Sequence, residues 1–454
     1  MKINKICCIG AGYVGGPTMA VIALKCPHIQ VTVVDIDAKR INDWNGSINN
    51  LPIYEPGLAE IVEQVREENL FFSTNIDKAI DEAQMIFMAV NTPTKKNGEG
   101  AGMAADLSNF ILSAKHISRI AKDDKIVVEK STLPVRTAEK LKEVLSENNN
   151  VKFEILSNPE FLAEGTAIED LFKSDRVLIG GDPTPSGQLA VESLVEIYKQ
   201  WIPEDKILTT SVWSSELAKL ASNAMLAQRI SSINSLSALC EKTGADVGEL
   251  GMAIGMDHRI GPHFLKASVG FGGSCFQKDI LNLVYLCKYY GLEEVAEYWH
   301  QVVKINNYQK KRFSKKIIDF FKGDITNKTI GLLGWAFKAN TNDSRESASI
   351  VVSGELLKAG AKVVVYDPMV SEVKIKNDIE SHYAENKKGL ERFFVLNSIN
   401  EVVNKSDAIG ILTEWEEFKS FDWTKSQKRI FDGRRILNDK MINKEQLFIL
   451  GTDD

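Results

Sequence analysis

The sequence predicts an α/β protein: two Rossmann-like doubly wound domains joined by a central long helix and a helical dimerisation region. Three observations carry this reading. A short apolar run at 5–9 feeds a G-x-G-x-x-G turn, an apolar helix and a second apolar run that ends in Asp35. The same strand, glycine, helix and strand order returns over 328–367. Between the two, 214–243 holds neither proline nor glycine and stops at Gly244. The chain has 454 residues, 44% hydrophobic and 26% charged, enough for two or three domains of ordinary globular composition.

The first strand is a continuous apolar run, as expected of a strand buried on both faces. In Gly10-Ala11-Gly12-Tyr13-Val14-Gly15 the first glycine allows the tight turn and the second admits a pyrophosphate. The third lets helix pack on strand, and the helix N-terminus suits phosphate. Asp35 ends the next strand, where a carboxylate accepts the ribose 2′-hydroxyl, so NAD is favoured over NADP. Arg40 reads either as an adenine neighbour or as a surface residue.

Further strands empty into polar loops. Residues 85–90 lead to Asn91-Thr92-Pro93-Thr94, and 126–129 lead to Lys130-Ser131-Thr132. Loops at the carboxyl ends of parallel strands are where open α/β sheets hold ligands. The strand over 151–157 leads to Asn158-Pro159-Glu160-Phe161-Leu162-Ala163-Glu164. A helix beginning at Pro159 would set Glu160 and Glu164 on one face, for acid–base work or for capping.

The long helix over 214–243 is about 45 Å at 1.5 Å per residue. Lys219 and Asn223 are one turn apart on it, among small and apolar neighbours. A lysine there either reaches solvent or meets an anion, because burying it unpaired costs several kcal/mol. After it comes Gly270-Phe271-Gly272-Gly273-Ser274-Cys275, a glycine loop that delivers one cysteine to the start of a helix. Exposed N–H groups and the dipole favour negative charge at such a helix end.

The third segment repeats the first without the full glycine fingerprint, so it is expected to hold something other than a dinucleotide. Its loops carry Lys338, Arg345 and Asp432-Gly433-Arg434-Arg435, whose guanidiniums suit a diphosphate. Residues 373–392 are polar and read as a variable surface excursion. Lys310-Lys311-Arg312 with Lys315-Lys316 read as solvated helix faces. The formal net charge of −6 leaves no basic footprint for nucleic acid. Six cysteines without C-x-x-C pairing argue against a zinc site or a disulfide framework, so no metal is expected. No stretch reaches the roughly 18 apolar residues of a membrane span, and a reducing, cytoplasmic setting fits best.

Together these motifs resemble the UDP-glucose 6-dehydrogenase family, within the wider nucleotide-sugar dehydrogenases. The resemblance covers almost the whole chain. It rests on Gly10-x-Gly12-x-x-Gly15, Val90-Asn91-Thr92-Pro93-Thr94, Lys130-Ser131-Thr132 and Asn158-Pro159-Glu160-Phe161-Leu162. It continues through Glu216-Leu217-Ala218-Lys219-x-x-x-Asn223, the glycine loop with Lys278 and Asp279, Phe337-Lys338 and Phe431-Asp432-Gly433-Arg434-Arg435. Phe264-Leu265-Lys266-Ala267-Ser268-Val269-Gly270 looks like the UDP-glucose branch. Trp335, Ala339 and Pro262-His263 depart from the family's usual residues.

The resemblance implies oxidation of the C6 hydroxyl of UDP-glucose to a carboxylate with two NAD per turnover. Cys275 would form a thiohemiacetal and then a thioester. Lys219 and Asn223 would stabilise the oxyanion, and Asp279 and Glu160 would manage proton and water, with Thr132 positioning that water. NAD would rest on Gly10, Gly12, Tyr13, Val14 and Gly15, with Asp35 and Arg40. Further cofactor contacts would come from Val90, Asn91, Thr92, Pro93 and Thr94, from Ser131 and Thr132, and from Glu164, Lys278 and Arg345. The UDP-sugar would meet Glu160, Phe161, Leu162, Ala163 and Glu164, then Lys219 and Asn223. Phe264, Lys266, Ala267, Ser268, Val269, Gly270, Phe271 and Gly272 would line it, with Phe337, Lys338 and Arg434. Arg259 would come from a neighbouring subunit, which implies a homo-oligomer built on a dimer and extending to a hexamer in some relatives. The domains expected are 1–212 for NAD, 213–323 for the helical dimerisation region with the cysteine loop, and 324–454 for the UDP-sugar. The competing readings are a dehydrogenase of another nucleotide sugar, such as UDP-N-acetyl-hexosamine or GDP-mannose, and a silent regulator that binds NAD and nucleotide sugar.

Overall fold

The computed structural model describes residues 2–383, 387–438 and 440–452. The chain divides into two compact units, Met1–Ser222 and Asn223–Asp454.

In the first unit the strands are β1 (Lys5–Ile9), β2 (Gln30–Val34), β3 (Leu70–Ser73), β4 (Met85–Met88) and β5 (Lys125–Glu129). They continue with β6 (Phe153–Ser157), β7 (Val177–Gly181) and β8 (Ile207–Ser211). The sheet order is β3-β2-β1-β4-β5-β6-β7-β8, parallel except where β6 meets β7. Successive side chains of β1 enter opposite cores. Cys8 joins Met19 and Trp44 on one face, and Cys7 joins Ile86 and Phe110 on the other. Both thiols are buried, as adjacent apolar positions of a central strand require. The order reverses between β1 and β4, the switch point where a ligand crevice opens.

The second unit holds β9 (Thr329–Leu333), β10 (Lys362–Tyr366), β11 (Phe393–Val395), β12 (Ala408–Ile411), β13 (Arg429–Asp432) and β14 (Leu447–Ile449). Their order is β11-β10-β9-β12-β13-β14, and every pairing is parallel. The helices Val247–Gly255, Phe276–Tyr289 and Glu293–Phe320 precede the sheet. The long helix runs Val212–Thr243 and ends where Gly244 turns to φ +77° and donates to the Cys240 carbonyl.

Three expectations are corrected. No helix begins at Pro159, because the Glu160 carboxylate itself accepts the N–H groups of Phe161 (2.8 Å) and Leu162 (3.2 Å). The helix starts only at Ala167, so Glu160 and Glu164 share no helical face. Within 373–392 a helix, Glu372–His382, buries Ile375 and Ile379 against the core, and residues 384–386 lie outside the described residues. The cluster at 310–316 is a solvated face only at Lys311 and Lys315, which are exposed. Lys310 is buried, and Arg312 (2.7 Å) and Lys316 (3.2 Å) both pair with buried Glu241. Helical register explains Lys310, since Val303, Asn306, Lys310, Phe313 and Ile317 fall on one buried stripe.

The turn after β1 leaves no freedom at its first residue. Gly10 has φ +111°, and a Cβ there would stand 2.4 Å from the Ala89 carbonyl oxygen. A Cβ on Gly12 meets nothing within 4 Å. Gly10→Ala is therefore expected to lower stability by about 1–3 kcal/mol, while Gly12→Ala stays within about 0.5 kcal/mol of the parent. Urea unfolding of the two variants measures this, and equal midpoints would contradict the strain assigned to Gly10.

Candidate active site

In the first unit, Asp35 ties the glycine turn together. Its carboxylate accepts from the Ala11 N–H (2.9 Å), the Asp37 N–H (3.0 Å) and Arg40 Nη1 (3.1 Å). A carboxylate offers about four acceptor positions, so one is left for a ribose hydroxyl. Arg40 is thus a partner of Asp35 rather than a bare surface charge. Gly12 leaves open space at the start of the helix Gly15–Lys25, where a diphosphate fits against the N–H groups. Tyr13 places its hydroxyl 3.3 Å from the Gly165 N–H, and Val14 is the residue before that helix.

The loops from β4 and β5 are bonded to each other. Thr92 Oγ1 donates to the Thr132 carbonyl (3.1 Å), and Ser131 Oγ donates to the Val90 carbonyl (2.6 Å). Asn91 and Pro93 are exposed, and Thr94 is half-buried and bridges to Ala105. These residues form one platform at the switch point, and the donor set fits NAD.

Beyond it lies a buried ionic cluster that sequence reading did not anticipate. Lys130 donates to Glu160 (2.9 Å), Asn158 (3.0 Å) and Tyr198 (3.2 Å), which uses all three ammonium protons. Burial alone would raise the Glu160 carboxyl, but Lys130, the Phe161 N–H and Lys219 hold it below the ordinary range. Lys219 is itself buried, with Nζ 5.1 Å from the Phe161 ring centre, and Arg176 stacks on that ring at 3.9 Å. The lysine on the long helix therefore meets an anionic site rather than solvent. Leu162 and Glu164 are half-buried and Ala163 is exposed, its N–H bonded to Asp170 (2.8 Å). Glu55, also missed in the sequence, accepts the N–H groups of Gly165 and Ala167 and closes this loop.

Next to the cluster, Glu129 is buried and its oxygens find no donor among the described residues unless the carboxyl itself is protonated. Burial and the neighbouring Glu216 push it well above the ordinary range. Glu216 accepts from the Arg136 N–H (2.6 Å) and the Ala138 N–H (2.8 Å). One proton held between the two acids satisfies both.

In the second unit, Asn223 Nδ2 donates to Asp279 Oδ2 (2.6 Å), and Lys278 Nζ is 3.9 Å from Asp279 Oδ1. Asp279 sits one turn into the helix Phe276–Tyr289, and its N–H donates to the Cys275 carbonyl (2.9 Å). Cys275 stands at the N-cap of that helix with its thiol exposed, 3.4 Å from Ser274 Oγ. The loop before it is gripped from both sides. Asn306 accepts the Phe271 N–H (2.8 Å) and donates to its carbonyl (3.0 Å), while the Gly273 N–H donates to the Arg345 carbonyl (2.8 Å). Phe337 packs on Gly272 and Gly273.

The remaining substrate candidates of this unit form a connected wall and an exposed strip. Arg434 donates to the carbonyls of Phe337 and Leu412 (2.6 Å each) and faces Glu414 (3.2 Å). Arg435 pairs with both oxygens of Asp246 (2.9 Å), so it is structural. Val269 donates to the Gly433 carbonyl (3.0 Å), and Ser268 accepts from Gln309 through its carbonyl (2.7 Å). Ala267 and Gly270 are buried, Lys338 is half-buried, and Lys266 and Phe264 are exposed, the latter at φ +61°. Arg345 is ion-paired with Asp343 (2.6 Å) and Arg259 with Asp257 (2.6 Å), both at the surface.

The second sheet repeats the first with one change. Asp367, which follows β10 as Asp35 follows β2, accepts from the N–H groups of Trp335, Ala336, Met369 and Val370 and from Trp415 Nε1. Five donors fill its acceptor positions and leave none for a ribose.

The chain is similar to known proteins over nearly its whole length. Models of the UDP-glucose/GDP-mannose dehydrogenase family match the chain over 4–202 (NAD binding domain), 213–308 (central domain) and 331–439 (UDP binding domain). The chain is 55% identical over 451 residues to UDP-glucose 6-dehydrogenase 4 of Arabidopsis thaliana, covering 96% of this chain and 94% of the relative. It is 55% identical over 447 residues to the UDP-glucose 6-dehydrogenase of Rattus norvegicus, covering 96% and 90%. A solved UDP-glucose dehydrogenase from Pyrobaculum islandicum superposes with a TM-score of 0.85 at 30% identity, covering 100% of this chain and 98% of that one.

The shared proton makes a sign-definite prediction. Glu129 keeps its proton in the native state above the pH of about 4.3 where the unfolded chain releases it. Its stabilising contribution is therefore complete at lower pH and declines as pH rises, at up to about 1.4 kcal/mol per pH unit. Glu129→Gln, which donates to Glu216 without a titrating proton, is expected to flatten that decline. Urea midpoints from pH 5 to 8 measure it, and parallel profiles for parent and variant would contradict the shared proton.

Proposed function

The chain belongs to the UDP-glucose/GDP-mannose dehydrogenase family, and from that membership we propose that it oxidises UDP-glucose to UDP-glucuronate with NAD. The observation that carries this reading is Cys275, an exposed thiol at a helix N-cap on a loop held by side chains on both flanks. A simple alcohol dehydrogenase has no use for such a group. NAD, held on the glycine turn and Asp35, would supply the hydride acceptor for each of two oxidations at the sugar carbon, with the hydroxyl proton passing to a base. The first leaves an aldehyde. The Cys275 sulfur adds to its carbon, and a proton goes to the oxygen, giving a thiohemiacetal. The second oxidation leaves a thioester at Cys275. Water then adds to the thioester carbon, the carbon–sulfur bond breaks, and the thiol takes back a proton as the carboxylate departs.

Lys219 and Asn223 serve as oxyanion donors in this reading, and Asn223 already donates to Asp279. Asp279 is the candidate base. Glu160, held anionic beside Lys130, suits orienting a water with Thr132 better than storing a proton. Phe161, Phe264, Lys266, Phe337, Lys338 and Arg434, with the backbone of 267–272, take the UDP-sugar. Segments 1–212, 213–323 and 324–454 serve NAD, subunit pairing and UDP-sugar respectively. Arg259 contributes across a subunit boundary in a homo-oligomer, and the enzyme works in the cytoplasm. Among the described residues no helix is long and apolar enough to cross a membrane.

The test is NADH formed per UDP-glucose consumed, with the parent and with Cys275→Ala. The parent is expected to yield two NADH, and the variant to fail to make UDP-glucuronate. One NADH per sugar, or a full rate of acid formation without the thiol, would overturn the reading.

A further inference from the structure

The helix Glu293–Phe320 turns two polar side chains, Asn306 and Lys310, onto the cysteine loop one turn apart. Asn306 brackets the Phe271 peptide, and Lys310 is buried with its Nζ on the Glu346 carbonyl (2.9 Å). That carbonyl is the surface on which the loop rests, since a Cβ on Gly272 would stand 2.7 Å from it. The lysine stem fills the space beside Gly270, where a Cβ would lie 3.2 Å from Lys310 Cγ. Glu346 adopts φ +53°, a left-handed conformation that a non-glycine residue holds only when its surroundings impose it. The carbonyls of Arg345 and Glu346 both meet this assembly, the first at the Gly273 N–H and the second at Lys310. The Glu346 carboxylate in turn accepts from Gln277 (2.9 Å), two residues past Cys275.

We propose that Lys310 is a positioning residue for Cys275: its ammonium ties the Glu346 carbonyl to the helix Glu293–Phe320 and so holds the loop that carries the thiol in its reactive place. The inference rests on Cys275 being the nucleophile. A misplacement of about 1 Å costs roughly 100-fold in such a step. The charge on Lys310 titrates within an accessible range. Burial pulls it down to about 8, with Glu346 opposing and Arg434 adding to the fall. His382 on the helix Glu372–His382 also feels Lys310, but burial holds it below its ordinary value, away from the alkaline range. Deprotonation above pH 8 weakens the grip on the carbonyl, because a charged donor bonds about twice as strongly as a neutral one.

The experiment measures kcat, and KM for NAD, with UDP-glucose from pH 6.5 to 9.5 for the parent, Lys310→Met, Lys310→Arg and Cys275→Ala. Lys310→Met is expected to lose roughly 10- to 100-fold in kcat with KM for NAD unchanged. Lys310→Arg keeps its charge throughout, so its kcat relative to the parent is expected to rise with pH through about 8. A parental kcat in Lys310→Met, or a pH-independent ratio for Lys310→Arg, would overturn the role. If Lys310→Met does not fold, the ratio alone decides. Full activity of Cys275→Ala would overturn the nucleophile itself, whatever the lysine variants do.

Discussion

A Cβ on Gly272 would stand 2.7 Å from the Glu346 carbonyl oxygen and 2.9 Å from Phe337 Cβ, so in the cysteine loop backbone must pack on backbone. Much else in the second unit follows from that contact. It admits only glycine, and glycine alone would leave the loop loose. The stiffness comes from outside, from Asn306 on Phe271, the Arg345 carbonyl on Gly273 and Lys310 on Glu346. Phe337 and Arg434, candidates for the sugar nucleotide, belong to the same wall, since Arg434 donates to the Phe337 carbonyl (2.6 Å). Order in the thiol loop and order around Phe337 and Arg434 are thus one property.

The two sheets show how one architecture is turned to two ligands. Asp35 accepts three donors and keeps room for a hydroxyl, while Asp367 accepts five and has none. The change needs no new fold. The strand-end carboxylate of the second sheet is engaged by the turn it supports, so in the proposed function recognition falls to side chains such as Lys338 and Arg434. Charge in the first unit is handled differently again. Lys130 is buried against half-buried Glu160, a pair whose desolvation is offset by a full set of hydrogen bonds through Asn158 and Tyr198.

Features carried by neighbouring residues were legible in the sequence. The glycine turn, Asp35, the helix ending at Gly244 and the strands β1, β9 and β10 all appear from periodicity and punctuation. Contacts between distant residues were not. The Lys130–Glu160 pair joins positions thirty apart, and no local pattern announces it. The missing helix at Pro159 shows a side chain competing for backbone donors, which propensity alone does not weigh. Lys310 was hidden by its neighbours. Charge density over 310–316 suggested solvent, whereas the helical stripe of Val303, Asn306, Phe313 and Ile317 points inward, and reading register before charge identifies it.

The proposed reaction requires a covalent bond at Cys275, and intact-protein and peptide mass spectrometry of acid-quenched turnover reads that bond directly. With UDP-glucose and NAD in excess, the peptide holding Cys275 is expected to carry the mass of a uridine-diphosphoglucuronyl group, lost on treatment with hydroxylamine. Turnover with no adduct at Cys275, or with the adduct on another residue, would contradict it.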